Sequence, residues 1–269
     1  MASSRPTLKD IRALYHPLDD DEFEYYTKLR YGKLFIVNNY IFNGEMPNRD
    51  FSGLDRDALL QAFRWVGYRH ENIQIEDNLT AARMRALAEQ AAGELYQKGS
   101  SLVFVVLSYG GDGHLFGVDS RSLTFEYLMD PIRESLHLRN IPKIFLFQAC
   151  KASVNKVRMT STSSGGGARP PPSHLTTDAQ TCGPANHCIT YPRSDTLVAY
   201  SALPGSANGS MFIQAFAEVL QRDGKKHDIT LMLARASRIM SYTPGTSFPN
   251  KSLACPVVIS QLEKKFFFT

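Results

Sequence analysis

No stretch of this chain comes near the roughly 20 consecutive apolar residues that a membrane-spanning helix needs. The carboxyl-terminal "FFFT" follows two lysines and is far too short, so it reads as the end of an aromatic strand. Cysteine is scarce: Cys150, Cys182, Cys188 and Cys255 stand alone among 269 residues. So few thiols, with no basic-then-apolar leader after Met1, exclude a disulfide scaffold and point to free thiols in a reducing, cytoplasmic compartment. His187 accompanies Cys182 and Cys188, but no fourth ligand stands at zinc-finger spacing, so no metal is expected, and no cofactor either. A charge excess is missing as well. The 30 basic and 26 acidic residues, net +4, are mixed along the chain and leave no concentrated footprint for nucleic acid or for a membrane surface.

What remains is a globular chain, 43% hydrophobic, able to bury a substantial core. Its first 24 residues are polar and acidic ("HPLDDDEFE") without sustained period and read as an arm, too short for an amino-terminal recruitment domain. "KLFIVNN" (33–39), a strand near "RHENIQI", "SLVFVVLS" (101–108) and "PKIFLFQA" (142–149) are strands; the last two are apolar on both faces, as parallel strands covered by helices are. Between them "SGLDRDALLQAFRWVG" (52–67) places Leu54, Ala58, Leu59, Ala62, Phe63 and Val66 on one helical face. Thr80 caps a second helix with a Met84, Leu87, Ala88, Ala91, Leu95 stripe ending at Gly99. Alternating strands and helices predict an α/β fold with a doubly wound, mostly parallel sheet.

From about 153 to 194 the apolar pattern collapses into Ser, Thr, Gly and Pro, which reads as a linker. Order resumes with "DTLVAYSA" (195–202). A helix bearing Phe212, Phe216, Val219 and Leu220 follows, then one capped by Asp228 with Ile229, Leu233, Ala236 and Met240, and a last strand "PVVISQLEKKFFF". An exposed linker invites cutting without separating the two pieces.

Open α/β sheets keep their sites at the carboxyl ends of strands. There stand "LSYGG" and "FQACK". With "QAC" at 148–150, "VVLSYG" before it and "LVAYSALPG" after the linker, residues 25 to 269 resemble the caspase family, for which "QAC" after an apolar strand is among the stronger local signatures. The resemblance implies a six-stranded caspase-like sheet, a large subunit (25–152), a linker (153–194), a small subunit (195–269) and a short prodomain (1–24). It makes Cys150 the nucleophile, with backbone amides near Gly110 and Cys150 holding the oxyanion. The family's histidine position is occupied by Tyr109, whose phenol, with a reference pKa of about 10, is neutral near pH 7 and a poor acceptor of a thiol proton.

The resemblance also implies an aspartate pocket built from two arginines and the glutamine of "QAC". Gln148 is kept. Phe51 stands where the first arginine belongs, Arg49 is expected to be misplaced, and the stretch "LPGSANGS" that would carry the second arginine is shortened. Nothing basic is expected in the pocket, and an acidic side chain enclosed there without a partner costs roughly 3–5 kcal/mol. Lys151 and Ala152 replace the usual arginine and glycine. Cys150, beside Lys151, retains the chance of being a reactive thiol. Tyr109 is expected to pack over a neighbouring loop, and His114 to sit on the surface in a hairpin beyond the site. Asp178 and Asp21, with its neighbour Asp20, are possible processing positions, and Asp195 is framework.

By the same resemblance, the final strand, Cys255 with Val257, Val258, Ile259, Ser260, Gln261 and Leu262, pairs with its counterpart in a dimer of about twelve strands, since an apolar edge demands a cover. Three readings follow. The first is an inactive caspase homologue (a pseudocaspase or decoy) that activates or sequesters an active caspase as a heterodimer, and itself pairs as a homodimer. The second is a cysteine peptidase of altered specificity using Cys150 and a non-homologous base. The third is an α/β binding domain unrelated to death pathways.

Overall fold

The computed structural model describes residues 25–26, 31–44, 46–97, 100–111, 113–150, 194–203, 205–242 and 255–268. Its strands are β1 (Tyr31–Asn38), β2 (Ile73–Asp77), β3 (Ser100–Gly111), β4 (His114–Phe116), β5 (Ser122–Thr124), β6 (Lys143–Cys150), β7 (Thr196–Ser201) and β8 (Val257–Gln261). The helices are α1 (Ser52–Trp65), α2 (Ala81–Gly93), α3 (Phe125–Glu134), α4 (Met211–Asp223) and α5 (Ile229–Tyr242). Six strands run in the order β2-β1-β3-β6-β7-β8, with β4 and β5 forming a hairpin extension from β3. The first five pair in parallel and β8 is antiparallel to β7.

The period of two along a strand explains the two-sided core. Val103, Val105 and Leu107 of β3 join Leu34, Ile36, Ile144, Leu146 and Leu197 in a layer closed by Leu59 and Phe63 of α1, by α4 and by α5. The intervening Leu102, Phe104 and Val106 join Phe35, Phe145 and Phe147 beneath Met84, Leu87 and Ala88 of α2 and Leu128 and Ile132 of α3. Thr80 caps α2 by accepting from the Arg83 N–H, and Asp228 caps α5 by accepting from Thr230 and Leu231.

Three details depart from the sequence expectations. Leu54 is 47% exposed, and the buried residues of the first turn of α1 are instead Ser52 and Asp55, which face the carboxyl end of β1 and the start of α4. Leu95 is 78% exposed because α2 stops at Gly93 and Glu94 turns to extended backbone, carrying the chain off the helix before the stripe can continue to Gly99. The last strand ends at Gln261, and Phe266 and Phe268 plug the core layer of α1, their rings 4.8 Å apart and Phe268 5.7 Å from Phe63 in edge-on contact. Cys182, His187, Cys188, Lys151, Ala152, Asp20, Asp21 and Asp178 lie outside the described residues.

Candidate active site

Parallel pairing of β3 with β6 sets Tyr109 beside Cys150 at the carboxyl ends of both strands. Gln148 lies two residues below Cys150 and is fully buried. Its amide nitrogen donates to the Leu203 carbonyl at 2.7 Å and to the Cys150 thiol at 3.2 Å, whereas Oε1 meets no hydrogen-bond partner. Gly110 is required by the close return of the hairpin: a Cβ there would stand 2.3 Å from the His114 carbonyl oxygen and 2.8 Å from the Ala149 Cβ. His114 itself is exposed in that hairpin, paired with Gly111, and does not line the cleft.

The cleft holds about 230 Å³ and is walled by the 47–52 loop, Asp55, Tyr109, Cys150, Gly205, Ser206, Gly209 and Ser210. Among these described residues there is no imidazole. Tyr109 is 9% exposed and packs its ring on Phe42 at a centroid distance of 4.9 Å, over the loop that follows β1. Burial pushes its hydroxyl above the ordinary phenol range, with the Arg49 charge opposing. A phenol so placed keeps its proton at neutral pH and does not draw one from a thiol.

Arg49 overturns the expectation of a pocket without cations. The loop after β1 doubles back, with Arg49 N–H donating to the Tyr40 carbonyl. From there its guanidinium donates to the Asn39 carbonyl at 2.8 Å and to Ser52 Oγ at 3.0 Å, and reaches to 4.0 Å of Cys150 Sγ. The positive group therefore arrives from two positions before Phe51, whose own side chain is half exposed at the mouth. A long side chain is fixed by where its head finds acceptors, and two bonds to the end of β1 and the start of α1 suffice.

Opposite Arg49 lies Asp55, 1% exposed, accepting from the Ser210 N–H and the Gln214 side chain, both at 2.8 Å. Burial pushes its carboxyl up from the usual aspartate value, and the bonds from Ser210 and Gln214 only partly oppose this. Gly209, at φ +88°, brings the small loop against it; a Cβ at 209 would stand 2.5 Å from Asp55 Oδ1. Ser210 Oγ is buried without a hydrogen-bond partner. The cleft thus offers a thiol and a guanidinium, an arrangement that can receive an acidic side chain.

Sequence reasoning missed Asp55 and Ser210 and set Arg49 outside the pocket. For Asp55 a signal existed, because helical spacing sets it in line with Leu59, Ala62 and Phe63 on what proves to be the buried face. At the far edge, Val257 and Val258 of β8 are 44% and 37% exposed, Ile259, Gln261 and Leu262 are half-buried, and Ser260 is exposed. Cys255 is half-buried, with its thiol 3.3 Å from Ser241 Oγ. Among the described residues no helix is long and apolar enough to cross a membrane.

The model of the caspase domain matches residues 32–267 of the chain. Caspase-7 of Gallus gallus is 29% identical over 258 residues, spanning 88% of this chain and 77% of that protein. Cell death protein 3 of Caenorhabditis remanei is 29% identical over 264 residues, spanning 88% of this chain and 50% of that one. Among solved structures, one described as pro-sf-caspase-1 superposes with a TM-score of 0.70 at 22% identity, covering 94% of this chain and 96% of its own. The doubly wound sheet, the "QAC" strand end and a match over nearly the whole described length make this chain a member of the caspase family.

Proposed function

We propose that this chain is a catalytically silent caspase-family protein that regulates an active caspase by pairing with it, activating or sequestering it in cell-death signalling in the cytoplasm. The observation that carries the reading is Tyr109, buried under Phe42 beside Cys150 in a cleft lined by no histidine among the described residues. Positioned general acid–base catalysis contributes roughly 10²–10⁴-fold, and among the described residues no imidazole lines this cleft to supply it. Arg49 alters the second half of the argument. Because a guanidinium faces the cleft, an acidic side chain entering it would find a partner, so the site fits holding a peptide that it does not cut.

The exposed valines of β8 support association along the sheet edge, with another caspase or with a second copy of this chain. The division into residues 25–152, a linker at 153–194 and residues 195–269, with processing at Asp178 or Asp21, belongs to the same proposal. Co-expression with a catalytic caspase, followed by pull-down and a peptide-cleavage assay, tests it. Co-purification with a changed cleavage rate, lost on Val258→Lys, is the expected outcome; no association would refute it.

The contact of Arg49 with Cys150 favours a second reading, a cysteine peptidase of altered specificity with a non-homologous base. A panel of fluorogenic peptides with varied first residues separates the two. Turnover that disappears in Cys150→Ala would establish the peptidase and remove the first proposal.

A further inference from the structure

The turn between α4 and α5 reads "QRDGKKHD", and α5 adds Arg235 and Arg238. Residues 221–242 hold five lysines and arginines against two aspartates, a surplus of three in a chain whose net charge is +4. Both aspartates are engaged. Asp228 caps α5, and buried Asp223 receives Arg235 at 2.6 Å and Arg222 at 3.3 Å. Beside them lies a groove of about 380 Å³ lined by Arg222, Arg235, Arg238, Ile239 and Tyr242. Tyr242 is 76% exposed, and the Arg238 guanidinium lies over its ring at 5.8 Å.

One carboxylate shared between two guanidiniums leaves most of their N–H donors unused, because each guanidinium carries five. The next stretch of sequence, 243–254, contains no acid and one further cation, Lys251. The groove therefore combines unspent planar donors with an aliphatic and an aromatic floor. Carboxylates bind such forks in paired bonds, and arginine with tyrosine is the composition of contact surfaces rather than of solvated ones. A nucleic-acid strand would want a longer basic track with several stacking rings, and this groove has one exposed ring.

We propose that the groove between the carboxyl ends of α4 and α5 docks an acidic peptide segment of a partner protein. Its carboxylates meet Arg222, Arg235 and Arg238, and an intervening apolar side chain rests on Ile239 and Tyr242. The proposal concerns a surface apart from the Cys150 cleft and holds whether or not the chain is an enzyme.

Fluorescence anisotropy with the full chain and a fluorescein-labelled peptide alternating glutamate with phenylalanine provides the test. Saturable binding that weakens as salt rises is expected. Arg222→Ala with Arg238→Ala should weaken it about tenfold or more, as loss of two charge-assisted contacts implies. Arg238→Lys should fall between, because the charge stays and the fork goes, and Arg121→Ala, in the exposed β4–β5 turn on the opposite face of the sheet, should bind as the parent does. Melting curves identify any variant that misfolds, and Arg238→Ala alone, which leaves Asp223 paired, then gives the reading. Equal binding of a lysine–phenylalanine peptide, indifference to the arginine substitutions, or tighter binding of an oligonucleotide at the same salt would each overturn the proposal. So would peptide binding seen only after Asp19→Asn, Asp20→Asn and Asp21→Asn, which would assign the groove to the chain's own acidic stretch.

Discussion

Tyr109 and Arg49 carry the proposal of a silent site: a cation faces Cys150, and among the described residues no imidazole lines the cleft. Tyr109→His is therefore expected to raise hydrolysis of peptides carrying an acidic first residue at least about tenfold over the parent, at the low end of what a positioned base supplies. Rates unchanged in that variant would place the defect in the loop rather than in the base. Asp55 gives a second test. Its carboxyl holds a proton to higher pH in the folded state than in the unfolded chain, so native protein binds more protons there and stability falls as pH rises through and above about 4. Asp55→Asn removes that fall, and urea midpoints measured from pH 3 to 7 should decline less than the parent's; parallel curves would exclude the burial effect. Cys150, Tyr109 and Gln148 were legible in the sequence because a strand end places them. Arg49 was not, because position along the chain is a poor guide to where the head of a long, flexible side chain settles.

At the scale of elements, strands were easier to read than helix ends. Runs such as "LVFVVL" are apolar at every position, and burial on both faces follows directly. The stripe on α2 was read correctly from Met84 to Ala91 and then carried too far, since nothing in "GELYQKG" announces that Glu94 turns to extended backbone. On α1 the error ran the other way. The apolar Leu54 faces water while the polar Ser52 and Asp55 are buried, because a helix whose first turn abuts a cleft spends that turn on hydrogen bonds rather than on packing. Paired substitutions make the contrast measurable. Leu95→Ala should shift unfolding free energy by no more than about 0.5 kcal/mol. Phe268→Ala, which empties an aromatic site against Phe63 and Phe266, should cost about 3–5 kcal/mol in a denaturant titration. Comparable losses from the two would mean that the core layer closes without the tail.

For the molecule as a whole, the sheet is joined between β6 and β7, from either side of residues 151–193, by parallel pairing from Lys143–Thr196 to Gln148–Ser201. Leu197, Phe212 and Phe216 then share one core layer with Leu34, Ile36 and Leu59. Severing the chain within 151–193 is expected to leave one particle. After limited proteolysis the two pieces should co-elute in native buffer and part in denaturant, and separation without denaturant would contradict the shared core. The mostly parallel, helix-covered character of the sheet was foreseeable from alternating strands and helices. The cleft's far wall was not, since Asp55 and Ser210 meet across 155 positions of sequence.

The aromatic plug also dictates how such a chain is born. Phe266 and Phe268 complete a layer whose other members begin at Leu34, so a ribosome must release everything from Leu34 to Phe268 before that layer can seal. Until then the apolar inner faces of α1, α4 and α5 stay open, and chaperone occupancy should persist until Phe268 has emerged.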